Sequence, residues 1–155
     1  MTGMTLQLGD SAPDFTLPRA GGGTLTLSRL WRDKPVVLVF FPLAFSGRCQ
    51  GELCEIRDNL AVFEDAAVTV VGISVDSHFS LEAWAAQQGY AFDLVSDFWP
   101  HGEVARAYEV FLPERGIATR ASFLIGTDGA VRWSLVTDPS TPRPLSAYRE
   151  ALAQL

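Results

Sequence analysis

Pro35-Val36-Val37-Leu38-Val39-Phe40-Phe41-Pro42 is the stretch on which the fold turns. Val36 to Phe41 is an unbroken apolar run, rich in β-branched and aromatic residues. A strand with one wet face alternates apolar and polar side chains. This run does not alternate, which predicts a central strand covered on both faces. Pro42 ends it. Beyond a loop, Leu53, Ile56, Leu60 and Phe63 recur at steps of three and four, one helical stripe facing a sheet. Val68 to Val75 predicts a second buried strand, Phe79 to Gln88 a helix closed by Gly89, and Leu94-Val95 a short strand. Gly102 to Tyr108 predicts a short helix. Ala121 to Ile125 and Val131 to Val136 read as strands joined at Thr127-Asp128-Gly129, a hairpin turn. Pro144 falls where the first residue of a last helix would lie, with Leu145, Tyr148, Leu152 and Leu155 as its stripe. Upstream, Phe15-Thr16-Leu17 and Thr24 to Leu27 flank three glycines and predict a β-hairpin, after which Ser28 would cap a single turn through Trp31. Strands and helices alternate, so the fold class is α/β: a central mixed sheet flanked by helices, with an N-terminal hairpin, in one domain over residues 1–155.

The 155 residues carry 18 acidic and 12 basic side chains, net −6. Lys34 is the only lysine among the basic residues. That balance excludes a nucleic-acid binder, which needs a basic patch to displace counterions, and disfavours an anionic membrane surface. The longest apolar stretch, Pro35 to Phe45, is too short to span a bilayer. Met1-Thr2-Gly3-Met4 shows neither the basic nor the apolar part of a secretory signal. Two cysteines cannot make a disulfide scaffold. A reducing cytoplasm is expected, and the cysteines call for another explanation.

Cys49 follows a buried strand, across a loop, at the start of a helix. Unpaired backbone N–H groups and the helix dipole favour an anion there, and so thiolate over thiol. Such a position, near an arginine, can bring a thiol from about 8.5 to between ~3.5 and ~7.5. Cys49 also continues the apolar stripe back from Leu53, so simple packing stays open on position alone.

Pro42-Leu43-Ala44-Phe45-Ser46-Gly47-Arg48-Cys49 matches Pro-x-x-x-(Thr/Ser)-x-x-Cys and resembles the peroxidatic signature of the peroxiredoxins. Glu52 lies three residues past Cys49. Ala12-Pro13-Asp14-Phe15, Val75 to Ser80 with Trp84 beyond, and Arg120-Ala121-Ser122-Phe123-Leu124-Ile125 resemble further segments of the family, in order and at family spacing. Phe40 to Phe45 and Ser96 to Gly102 resemble the AhpE-like one-cysteine subgroup in particular. The resemblance covers about residues 8 to 136 and implies a thioredoxin-like fold and a thiol-dependent peroxidase that needs no cofactor and no metal. It also implies the roles: Cys49 the peroxidatic nucleophile, Pro42 a shield for the sulfur, Ser46 and Arg120 donors to the peroxide, and Glu52 the residue that orients Arg120. Ser46 departs from the usual threonine and lacks the methyl that restricts χ1. Substrates would be hydrogen peroxide or organic hydroperoxides. The reductant would be thioredoxin, a glutaredoxin-like protein or a low-molecular-weight thiol. AhpE-like relatives suggest a homodimer, whereas relatives of the PrxQ-like subgroup are often monomers.

Cys54 is five residues after Cys49. On a helix the two point some 140° apart, which puts Cys54 off the Leu53-Ile56-Leu60 stripe. The spacing resembles that of the resolving cysteine in the PrxQ-like, or bacterioferritin-comigratory, subgroup, so the chain mixes two patterns. A resolving role implies an intramolecular disulfide; without it a one-cysteine mechanism with an external thiol would apply. A peroxide-sensing relay would use the same sulfenic acid chemistry. A disulfide oxidoreductase would need C-x-x-C, where this chain has C-x₄-C. His78 and His101 look non-catalytic. Phe41, Phe45, Phe98 and Trp99 would line an apolar mouth, or serve as core or dimer contacts.

Overall fold

A computed structural model describes residues 6–155, apart from the side chains of residues 48–50. Strands β1 (Thr16–Pro18) and β2 (Thr24–Thr26) form the N-terminal hairpin, followed by helix α1 (Leu27–Trp31). The central sheet is built from β3 (Val36–Phe40), β4 (Thr69–Ser74), β5 (Asp93–Ser96), β8 (Arg120–Ile125) and β9 (Val131–Thr137), in the order β5-β4-β3-β8-β9. β3, β4 and β5 run parallel, β8 is antiparallel to β3, and β9 to β8. Helices α2 (Gly47–Asp58) and α3 (Leu60–Asp65) connect β3 to β4, and α4 (His78–Gln88) connects β4 to β5. Then come α5 (Glu103–Ala107), a hairpin of β6 (Phe111–Leu112) and β7 (Ile117–Ala118), and, after β9, α6 (Leu145–Leu152).

The pleat shows why β3 is apolar throughout. Val36, Leu38 and Phe40 point into one core with Val71, Ile73, Phe123, Tyr108 and the N-terminal hairpin. Val37 and Val39 point into the other, against Ile56, Phe63, Leu124 and Tyr148. Alternation is present, but both of its phases are dry. Phe41, Leu53, Leu81, Trp84, Tyr90 and Leu94 form a third cluster beneath α4. Gly72 in β4 makes room for it: a Cβ there would lie 2.6 Å from Leu94 Cδ2.

Four local expectations are corrected. The stripe from Leu53 to Phe63 is carried by two helices, because Asn59 breaks the helical dihedrals at φ −122° and ψ 26°. Ser28 lies inside α1 and caps nothing with its side chain; its N–H donates to Asp14 Oδ1 at 2.8 Å, and Thr26 precedes the helix. Pro144 is the extended residue before α6 rather than its first helical one. Leu155 lies beyond α6 and is exposed.

Candidate active site

The loop from Phe41 to Ser46 leaves the end of β3 and delivers the chain to α2. Two anchors hold it. Asp76, just past β4, accepts from the Ala44 N–H at 2.8 Å and from the Ser74 hydroxyl at 2.6 Å. Phe45 takes a φ of 68°, a left-handed conformation that bulky residues rarely adopt. Its ring lies 6.1 Å from that of Trp84. Ser46 is the N-cap residue of α2, with extended backbone and a hydroxyl that donates to Leu43 O at 3.0 Å. The backbone of Cys49 is therefore the third residue of α2, among the first N–H groups that have no acceptor one turn earlier. The Cys49 side chain lies outside the described residues.

Beside this helix start is a pocket of about 230 Å³, lined by Pro42, Leu43, Ser46, Gly47, Arg115, Ile117, Arg120 and Pro139. Pro42 and Ser46, from the loop before α2, thus meet Arg120, from the start of β8. Phe41 is buried in the core, while Phe45, Phe98 and Trp99 are exposed, and none of these four lines the pocket.

Arg120 opens β8 and is buried. Its Nε donates to Pro139 O at 2.8 Å and its Nη1 to Glu52 Oε1 at 2.5 Å. Glu52, one turn along α2 from Cys49, is also buried. It serves a second arginine, which sequence reasoning missed. Arg143 donates its backbone N–H and Nε to Glu52 Oε2, at 2.5 and 3.1 Å, and Nη2 to Oε1 at 2.8 Å. Arg143 Nη1 reaches Phe40 O, Ala121 O and Ser122 Oγ. Burial works against ionisation of Glu52, but hydrogen bonds and charge from Arg143, with the charge of Arg120, outweigh it and hold its carboxyl below the ordinary range. One carboxylate between two guanidiniums leaves the cluster positive, on the side of the helix start. In Pro142-Arg143-Pro144 the following proline disfavours helix at Arg143, which marks an extended segment but not the partner it meets.

Cys54 faces away from the pocket, toward the end of α4. Its sulfur lies 3.4 Å from both Gln88 Oε1 and the Tyr90 hydroxyl. It is half-buried against the third apolar cluster, so it packs more than its place off the stripe predicts. His101 bridges two turns, with ring nitrogens 3.2 Å from Phe98 O and 2.8 Å from Gly116 O. The His78 ring lies 4.0 Å from that of Phe79.

Most of the chain is similar to known proteins. The model of the AhpC/TSA family matches residues 8–134. The chain belongs to this family, the peroxiredoxins. It is 43% identical over 150 residues to alkyl hydroperoxide reductase E of Mycobacterium tuberculosis, across 97% of this chain and 98% of the relative. It is 35% identical to a chloroplastic 2-cysteine peroxiredoxin of Chattonella marina, across 90% of this chain and 75% of that one. The crystal structure of peroxidoxin BcpB from Mycobacterium tuberculosis superposes with a TM-score of 0.84 at 32% identity, covering 96% of this chain and 95% of that one. The fold is accordingly thioredoxin-like, and this peroxiredoxin is a thiol-dependent peroxidase. Among the described residues no helix is long and apolar enough to cross a membrane.

Proposed function

We propose that Cys49 reduces hydrogen peroxide or organic hydroperoxides as the peroxidatic nucleophile, and that Cys54 resolves the product. The observation that carries this reading is the pocket at the start of α2, where Pro42, Ser46 and Arg120 converge. The Cys49 thiolate attacks one peroxide oxygen; the O–O bond breaks, and the other oxygen leaves as water or alcohol once protonated. Cys49 becomes a sulfenic acid. Ionisation alone contributes little, because a free cysteine is already a few per cent thiolate at neutral pH. Full ionisation gains one to two powers of ten, against the ~10⁶ that enzymes commonly supply. The remainder comes from donors aimed at the charge on the departing oxygen. Arg120 supplies them, held by Pro139 O on one side and by Glu52 on the other. The first N–H groups of α2 add to the same field. Ser46 can accept from a peroxide O–H while it donates to Leu43 O.

Cys54 then attacks the sulfenic sulfur. Five helical residues span about 7.5 Å of rise, whereas bridged cysteines need Cα atoms within about 7 Å. α2 runs unbroken through both positions, so its first turns unwind before the bond forms. Gly47 and Gly51 suit this, since glycine weakens helix. The exposed disulfide is reduced by a thioredoxin, a glutaredoxin-like protein or a low-molecular-weight thiol. The chain works as one domain in the cytoplasm, and exposed Phe45, Phe79, Phe98 and Trp99 supply apolar area for a homodimer.

Cys49→Ser tests the nucleophile: peroxide consumption should vanish while the circular dichroism spectrum persists, and retained turnover would sink the assignment. Cys54→Ser should consume one equivalent and then stall. Undiminished thioredoxin-supported turnover in that variant, with no internal disulfide in the parent, would reduce the reaction to a one-cysteine mechanism.

A further inference from the structure

Cys54 is tied down by residues that the peroxide chemistry does not use. Gly89 ends α4 in a left-handed turn, φ 71°, so that Gln88 before it and Tyr90 after it both reach the same sulfur. The thiol donates to Gln88 Oε1 at 3.4 Å, and the Tyr90 hydroxyl lies 3.4 Å away on the other side. Arg57, one turn further along α2, donates its Nη1 to Gln88 O at 2.6 Å. Tyr90 has a fixed seat: its ring meets Trp84 edge-on at 5.1 Å and stacks on Phe92 at 5.2 Å. Three polar contacts therefore bind the Cys54 turn to the end of α4.

We propose that Gln88, Tyr90 and Arg57 are positioning residues that clasp Cys54 in the helical state. They set how fast it reaches oxidised Cys49, and so how much sulfenic acid survives to be overoxidised. The inference rests on the reading of Cys54 as the resolving thiol. In that step Cys54 loses its proton, the S–S bond forms as the S–O bond of the sulfenic acid breaks, and the proton leaves with the oxygen as water. The two residues start about 7.5 Å apart along the helix. Unwinding draws the Cys54 sulfur off Gln88 and Tyr90. A contact present in the clasped state and absent in the unwound one raises the barrier to resolution. Net hydrogen-bond strengths correspond to a factor of about two to ten for each contact removed. While resolution waits, a second peroxide can carry the sulfenic acid on to sulfinic acid, which no thiol reverses.

Tyr90→Phe and Gln88→Leu separate the clasp from the fold. The first keeps the stacked ring and deletes only the hydroxyl; the second keeps the bulk and deletes the acceptor. The reduced full-length protein is mixed with one equivalent of hydrogen peroxide in stopped flow. Disulfide formation is timed by acid quench and mass spectrometry, and sulfinic acid is then measured against rising peroxide. Each variant should form the Cys49–Cys54 disulfide two- to tenfold faster than the parent. The peroxide concentration that gives half-maximal sulfinic acid should rise by the same factor. A parent that forms the disulfide, with unchanged or slower formation in both variants, overturns the clasp and leaves the resolving role standing. A parent that forms no internal disulfide overturns both.

Discussion

Glu52→Gln is the sharpest test of how the arginines are held. Gln has the shape of Glu, but one of its two acceptors becomes a donor. Each carboxylate oxygen of Glu52 faces two donors: Oε1 takes Arg120 Nη1 and Arg143 Nη2, and Oε2 takes the backbone N–H and Nε of Arg143. Either orientation of the amide loses two of the four bonds and sets N–H against N–H. Two buried guanidiniums also lose the carboxylate charge that they share. Removing one member of a buried ion pair costs about 3–5 kcal/mol. Arg143 keeps Phe40 O, Ala121 O and Ser122 Oγ, which places the loss near the lower end, about 3 kcal/mol. For a chain of this size that is a fall in Tm of about 9 °C, or a shift of about 1.5 M in the urea midpoint at a slope of about 2 kcal/mol/M. Tryptophan fluorescence reports both transitions. The difference from the parent should also shrink in acid. Burial opposes the Glu52 charge, but Arg143 and Arg120 outweigh it and lower the folded-state pKa. The unfolded chain then binds the proton more tightly, so this stabilisation is complete above the ordinary carboxylate range, about 4.3, and is lost as pH falls through the folded value. A loss below about 1 kcal/mol at neutral pH, well short of that range, or a difference that widens in acid, would refute the reasoning.

Arg120→Lys keeps the charge but cannot hold Pro139 O and Glu52 together while presenting a fork. The rate of peroxide attack should fall about 10²-fold, far more than any change in thiolate fraction followed by ultraviolet absorbance; a loss in proportion to thiolate alone would contradict the transition-state role. Gly72→Ala places a Cβ 2.6 Å from Leu94 Cδ2 and 3.3 Å from Phe41 Cε1. The overpacked strand should lose about 1–3 kcal/mol in urea unfolding, and an unchanged midpoint would show that Leu94 yields freely.

The elements most legible in the sequence are those whose burial is written in a continuous run or a stripe. Val36 to Phe40 and Thr69 to Ser74 pair in the sheet as parallel neighbours, and Gly89 ends α4. The hairpin of β6 and β7 was not legible, since two-residue strands carry no period to read. The break at Asn59 was hidden because Leu60 and Phe63 keep the phase of the stripe across it. At the site, the Pro42, Ser46 and Cys49 spacing is local and could be read. Glu52 and Arg120 were found through resemblance to a family. Arg143 stands 91 residues from the carboxylate it meets, and no local pattern announces a partner at that distance. Asp76 was visible only as part of the Val75 to Ser80 segment that resembles the family, because its anchoring of Ala44 depends on β3 and β4 lying side by side.

Arg143 reaches from the segment after β9 to Glu52 on α2 and to Phe40 O on the central strand, 91 and 103 residues back. A ribosome releases those partners long before it releases the arginine. Until Arg143 emerges, Glu52 has Arg120 alone, and the cluster that aims Arg120 is half assembled. Order in the pocket beside α2 is therefore a late acquisition in the life of each molecule. The arginine cluster is complete only when the far end of the polypeptide closes over it.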